Sequence, residues 1–135
     1  MCLEEKDINL IREFLLERLS PYVIMLFGSA ASGNMRADSD IDIAFLSDMQ
    51  VKEYDLFLLA QEMAGYLGRE VDLIDLRKSS TVMQAQVVGK GKLIYDGDED
   101  RRRDFFVLAL KKYARLNEER EPVLRRIKER GRIYA

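Results

Sequence analysis

Short apolar runs alternate along this chain with longer segments whose apolar positions recur every three or four residues, the pattern of strands interleaved with helices. Helical spacing predicts a helix over 4–19. The run Tyr22, Val23, Ile24, Met25, Leu26, Phe27 reads as a buried strand that ends at Gly28, with a short helix expected from Ser29. Residues 41–46 alternate as a second strand. Leu56, Leu59, Ala60, Met63, Ala64 and Leu67 then form a helical stripe over 52–67 that stops at Gly68. An alternating strand over 70–76, a helix near 80–88 and a strand over 92–95 complete an α/β core, with Gly89-Lys90-Gly91-Lys92 as a helix stop and turn. Asp96-Gly97-Asp98 divides a core, 1–97, from a helical tail, 98–135. Phe105, Phe106, Leu108, Ala109, Tyr113 and Leu116 give that charged tail an apolar stripe, which packs on the core or on a partner, and a break is expected near Pro122. Arg101-Arg102-Arg103 reads as a solvated helix start whose preceding acids complement the helix dipole.

Composition narrows the chemistry. The 135 residues contain no apolar run near the roughly 20 that a membrane span requires, and Glu4, Glu5, Lys6 and Asp7 interrupt any signal-like stretch, so a cytoplasmic location without membrane contact is expected. With 22 basic and 24 acidic side chains intermixed and a net charge of −2, the chain lacks the electrostatic footprint of a protein that binds long nucleic acid. One cysteine, Cys2, leaves no internal disulfide. There is no histidine, which removes His-based triads and His metal sites and leaves proton transfer to carboxylate, tyrosine, lysine or water.

The candidate chemistry lies in Gly28-Ser29 and, after ten residues, Asp40-Ile41-Asp42. Glycine permits a sharp turn and the close approach of phosphate to backbone amides, and Ser29 adds a hydroxyl donor. Asp40 and Asp42 are two apart in an extended segment, so their carboxylates share one face about 6–7 Å apart, while Ile41 and Ile43 face a core. Like charges so placed repel one another, and a hard dication such as Mg²⁺ relieves that repulsion. If the 70–76 strand lies beside 41–46, Asp72 completes a three-carboxylate cluster as metal ligand, as base for an attacking hydroxyl, or as both. Glu70 has the same parity and is the lesser candidate; Asp75 faces the other way.

These residues resemble the nucleotidyltransferases of the DNA polymerase β superfamily, and more narrowly the minimal nucleotidyltransferase antitoxins of HEPN/MNT toxin–antitoxin pairs. Ser39-Asp40-Ile41-Asp42-Ile43-Ala44 and Val71-Asp72-Leu73-Ile74-Asp75-Leu76 carry the likeness, which extends over roughly residues 5 to 95. It implies a small mixed β-sheet flanked by helices with a C-terminal helical tail. Its implied activity is transfer of AMP from ATP to a tyrosine of a HEPN-domain RNase toxin encoded nearby. Arg36 falls where members usually carry arginine, whereas Ala31-Ser32-Gly33 stands where many have Ala-Arg-Gly.

The resulting expectation is an adenylyltransferase acting as an antitoxin: ATP on the Gly28-Ser29 turn, two Mg²⁺ ions on Asp40 and Asp42, and Asp72 orienting the acceptor hydroxyl. Two such ions leave a triphosphate and three carboxylates roughly three negative charges in excess, so a basic group is expected to help. Arg36 is the nearest in sequence, and Lys90 or Arg77 are further candidates. The residues alone support nucleotidyl transfer to some acceptor. The alternatives are an antitoxin that neutralises its partner by binding, and an enzyme that modifies a small aminoglycoside-type molecule.

Overall fold

A computed structural model describes residues 3–32 and 39–134. The chain runs α1 (Glu5–Leu19), β1 (Val23–Phe27), α2 (Ser29–Ser32), β2 (Ile41–Leu46), α3 (Glu53–Leu67) and β3 (Val71–Asp75). A 3-10 turn (Leu76–Lys78) leads into α4 (Thr81–Lys90), β4 (Lys92–Asp96) and α5 (Glu99–Tyr134). The strands form one sheet in the order β3-β2-β1-β4. β1 is antiparallel to β2 and to β4, whereas β2 and β3 are parallel, with α3 as their crossover. The expected mixed sheet and the predicted element order are both present.

Strand alternation sends two sets of side chains to opposite sides of this sheet. Ile24, Leu26, Ile41, Ile43, Phe45 and Leu73 pack with Ile11, Phe14 and Leu15 of α1 and with Ala60 and Met63 of α3. Val23, Met25, Ala44 and Leu46 join Leu76 and Val87, against which Phe105 and Phe106 of α5 are packed. The central strands are therefore covered on both faces, which is why they read as nearly continuous apolar runs.

Local polar contacts set the element ends. Ser20 at φ +45° closes α1, and Gly68 at φ +68° closes α3 where its apolar stripe stops. Buried Ser47 donates its hydroxyl to the Leu19 carbonyl and accepts the Met49 N–H at 3.1 Å, so it fastens the end of α1 to the chain leaving β2. Ser80 caps α4 by accepting the Met83 N–H at 3.1 Å.

The tail departs from expectation in two places. Arg101 and Arg102 do more than solvate a helix start: the Arg101 guanidinium donates twice to Asp48, at 2.9 and 2.6 Å, and lies 4.0 Å over the Tyr22 ring. Arg102 donates to Asp96 at 2.7 Å. Both residues tie α5 to the ends of strands. The helix also passes through Pro122 without the expected break, because one missing backbone donor is a local loss within a long helix, and Arg125 pairs with Glu121 across the proline.

Ser47→Ala leaves the buried Leu19 carbonyl without its donor. Chemical denaturation of this variant is expected to show a loss of about 1–3 kcal/mol with an unchanged m-value.

Candidate functional site

β1 ends where β2 begins, and the antiparallel register places Phe27 opposite Asp42. The next residue, Gly28, turns at φ +62°, and its carbonyl accepts the Ala31 and Ser32 N–H groups, both at 3.2 Å, as α2 starts. Two constraints make this position glycine. The left-handed φ strains any L side chain, and a Cβ here would collide with Oδ2 of Asp42. The turn and the acid are therefore pressed together, and the half-exposed Ser29 follows directly.

On the other side of β2, the parallel register pairs Asp42 with Asp72. Asp40 precedes β2 and is exposed. Asp42 shares its parity with Ala44 and Leu46, so these acids lie on the α4 and α5 face, at the end of the sheet where β1 stops and β2 and β3 start. The Asp42 carboxyl titrates above the ordinary carboxylate range, first because burial penalises its charge and then because the charges of Asp72 and Asp40 repel it. Among the described residues no three acids draw close enough to form a ready-made metal cage. That arrangement suits Mg²⁺, which takes one or two protein carboxylates and completes its shell with phosphate oxygens and water. The donor set is all oxygen, the anionic crowding is one a dication relieves, and Gly28 keeps room open beside Asp42, so the residues fit the ion.

The remaining candidates separate. Glu70 uses its backbone carbonyl to accept the Ile41 N–H at 2.9 Å, and its exposed side chain precedes β3. Asp75 points to the other side, buried, with one carboxylate oxygen accepting the Arg77 N–H at 3.1 Å. Arg77 reaches toward the Met49 carbonyl at the far end of the sheet, so it does not join the acids. Lys90 ends α4, where Gly91 packs against the Leu26 carbonyl, on the same end of the sheet as Gly28. Arg36 lies outside the described residues. The close contact of Gly28 with Asp42 escaped the sequence reading, although one clue, a glycine straight after a buried strand, was visible there.

Residues 9–100 match the family described as Polymerase beta, Nucleotidyltransferase. The chain belongs to this nucleotidyltransferase family. It is 36% identical over 121 residues to the protein adenylyltransferase MntA of Shewanella oneidensis, covering 90% of this chain and 84% of the relative. Among solved structures, a toxin–antitoxin complex with AMP-PNP contains a chain that superposes with a TM-score of 0.81 at 34% identity, covering 90% of this chain and 98% of that one. A complex of the tri-AMPylated Shewanella oneidensis HEPN toxin with its MNT antitoxin gives a TM-score of 0.79 at 31% identity, covering 93% and 99%. The mixed sheet, the flanking helices and the C-terminal helix all have counterparts in these relatives.

Two outcomes follow for this candidate site. Because the folded-state pKa of Asp42 is raised, its contribution to stability is fully present below the unfolded pKa and is lost as pH rises through the folded one. Asp42→Asn should therefore raise the thermal midpoint of the ligand-free protein at neutral pH, and the difference from wild type should shrink as pH falls; a midpoint below wild type at pH 7 contradicts this. Gly28→Ala should weaken MgATP binding by at least tenfold in calorimetry, since the added Cβ displaces Asp42.

Proposed function

We propose that this chain transfers AMP from ATP to a hydroxyl of a HEPN-type toxin, a tyrosine hydroxyl in the version that the family resemblance implies, and so acts as the antitoxin. The reading is carried by one observation: a glycine turn packed against Asp42, with Asp72 next to it in register. It is supported by the likeness to a protein adenylyltransferase and to antitoxin chains in toxin complexes.

In this reading the turn at Gly28 presents backbone N–H groups to the triphosphate, with the Ser29 hydroxyl beside them. Asp40 and Asp42, with Asp72 as a third acid, would hold two Mg²⁺ ions, which would supply neutralisation of charge on the phosphate oxygens. Asp72 accepts a hydrogen bond from the acceptor hydroxyl and turns its oxygen toward the α-phosphorus. The new O–P bond forms as the bond from the α-phosphorus to its bridging oxygen breaks. Pyrophosphate leaves with that electron pair, and the hydroxyl proton passes to the Asp72 carboxylate or to water. Histidine is absent, so no imidazole competes for this proton. Most of the acceleration comes from holding the reacting oxygen and phosphorus in line and from charge placed in advance. Arg36 is assigned to the triphosphate, where a cation offsets the remaining negative charge.

The deciding experiment incubates the chain with labelled ATP, Mg²⁺ and the partner toxin. Label on the toxin is expected; a stable complex without label would replace the enzyme with a module that neutralises by binding. Asp40→Asn should abolish transfer while circular dichroism stays unchanged. Asp72→Asn should retain MgATP binding yet slow single-turnover transfer by about 10²–10⁴-fold, the usual worth of a positioned base. A normal rate in Asp72→Asn together with a collapsed rate in Glu70→Gln would move the third carboxylate to Glu70.

A further inference from the structure

Asp72 lines a second feature as well as the acid cluster. A cavity of about 460 Å³ runs along the outer side of β3, and every residue of that strand, Val71–Asp75, contributes to its wall. Leu56, Phe57 and Gln61 of α3 form the opposite wall. β3 has a strand partner on one side only. The parallel ladder begins with the Ile41 N–H donating to the Glu70 carbonyl at 2.9 Å, and strict alternation from there turns the amides of Glu70, Asp72 and Ile74 toward β2. Val71 and Leu73 consequently turn their N–H and C=O groups into the groove. The opposite edge strand, β4, is treated differently, since Arg12 donates its Nε–H to the Ile94 carbonyl at 3.0 Å. Phe57, at 57% relative exposure, stands beside the groove with most of its ring uncovered. The lining carries Glu53, Asp72 and Asp75 against Lys78 alone, a balance that repels nucleic acid.

We propose that this groove is the acceptor-docking site: an extended segment of the toxin adds to β3 as a further strand, and a residue of that segment presents its hydroxyl to Asp72. This rests on the transfer reading given above. An added strand lies about 4.8 Å from β3, and the residue opposite Asp72 on the same face places its Cβ about 5 Å away, within reach of a side chain carrying a terminal hydroxyl. Main-chain pairing supplies affinity, and contact with Phe57 and Leu56 supplies selection of the neighbouring side chains. Specificity for a protein acceptor thus resides in the same strand that carries the orienting acid.

The test is hydrogen exchange on the wild-type chain with and without the toxin, in the absence of ATP. Protection of the Val71 and Leu73 amides by the toxin is expected, and equal exchange in the two states overturns the proposal. Val71→Pro removes an outward-facing donor at the first position of the strand, where proline is tolerated, and Phe57→Ser removes the exposed ring. Each is expected to weaken toxin binding at least tenfold in calorimetry with MgATP affinity unchanged; binding of both within twofold of wild type overturns the proposal. Should Val71→Pro fail to fold, Phe57→Ser and the wild-type exchange decide. Labelled ATP added to the wild-type complex reports the transfer separately. Protected amides without label retain the docking edge and remove the chemistry, and label without protection does the reverse.

Discussion

The register between β2 and β3 is the constraint on which the site depends, because it sets two carboxylates, Asp42 and Asp72, side by side against their own repulsion. Two unit like charges about 4 Å apart repel by about 1 kcal/mol in water and about 4 kcal/mol at an intermediate dielectric. The opposite face of the same two strands holds the register. Ile41, Ile43 and Phe45 are fully buried and Leu73 nearly so, and each such side chain contributes about 1.5–3 kcal/mol relative to exposure. A slip of either strand by one residue would turn that strand's own set to the wrong face, so burial holds the register against the charge conflict. Burial first, and then that conflict, raise the pKa of Asp42, at a place where a dication can relieve the charge.

Gly28 connects this acid pair to β1. Since β1 pairs with β2 so that Phe27 meets Asp42, the chain leaving β1 must turn immediately beside a carboxylate, and only a residue without Cβ fits. The glycine turn and the acids are thus not separate features that happen to be near; one strand register positions both. α5 stabilises the far end of the same strands. Arg101 spans Asp48 and the Tyr22 ring, so the helix start is attached to the residue before β1 and to the loop after β2. As an exposed pair it contributes little energy, and its role is geometric, directing Phe105 and Phe106 onto the sheet.

Much of this was legible in the sequence because period and parity carry it. The apolar run at 22–27, the alternation at 41–46 and the helical stripe ending at Gly68 each have one dominant reading, and the parity of Asp40, Asp42 and Asp72 follows from extended geometry alone. What parity cannot supply is strand order. Nothing in Val71-Asp72-Leu73-Ile74-Asp75 distinguishes an edge strand from a central one, so the groove beside β3 was invisible until the order β3-β2-β1-β4 was known. The triple arginine was read by composition as a solvated cap, since its partners Asp48 and Tyr22 lie some 50 and 80 positions earlier. Pro122 was read as a break by a local rule, which a long helix with ordinary bonding on both sides overrides.

Edge placement of the acidic strand has a consequence for the kind of substrate the site admits. In the centre of a sheet both sides of a strand are paired, and an acceptor reaches its side chains only from above. On an edge, the backbone and both rows of side chains are approachable together, so a folded protein can present an extended segment without being unfolded to enter a pocket. Such an edge is ordinarily a liability that proteins cover or charge, and this chain does occupy a carbonyl of its other edge strand with Arg12. Leaving β3 unpaired beside an open groove while β4 is engaged costs some resistance to aggregation. Under the proposed docking the offsetting gain is that Asp72, Val71 and Leu73 belong to one rigid strand, so a segment paired with the edge would already be aligned with the carboxylate assigned to its hydroxyl.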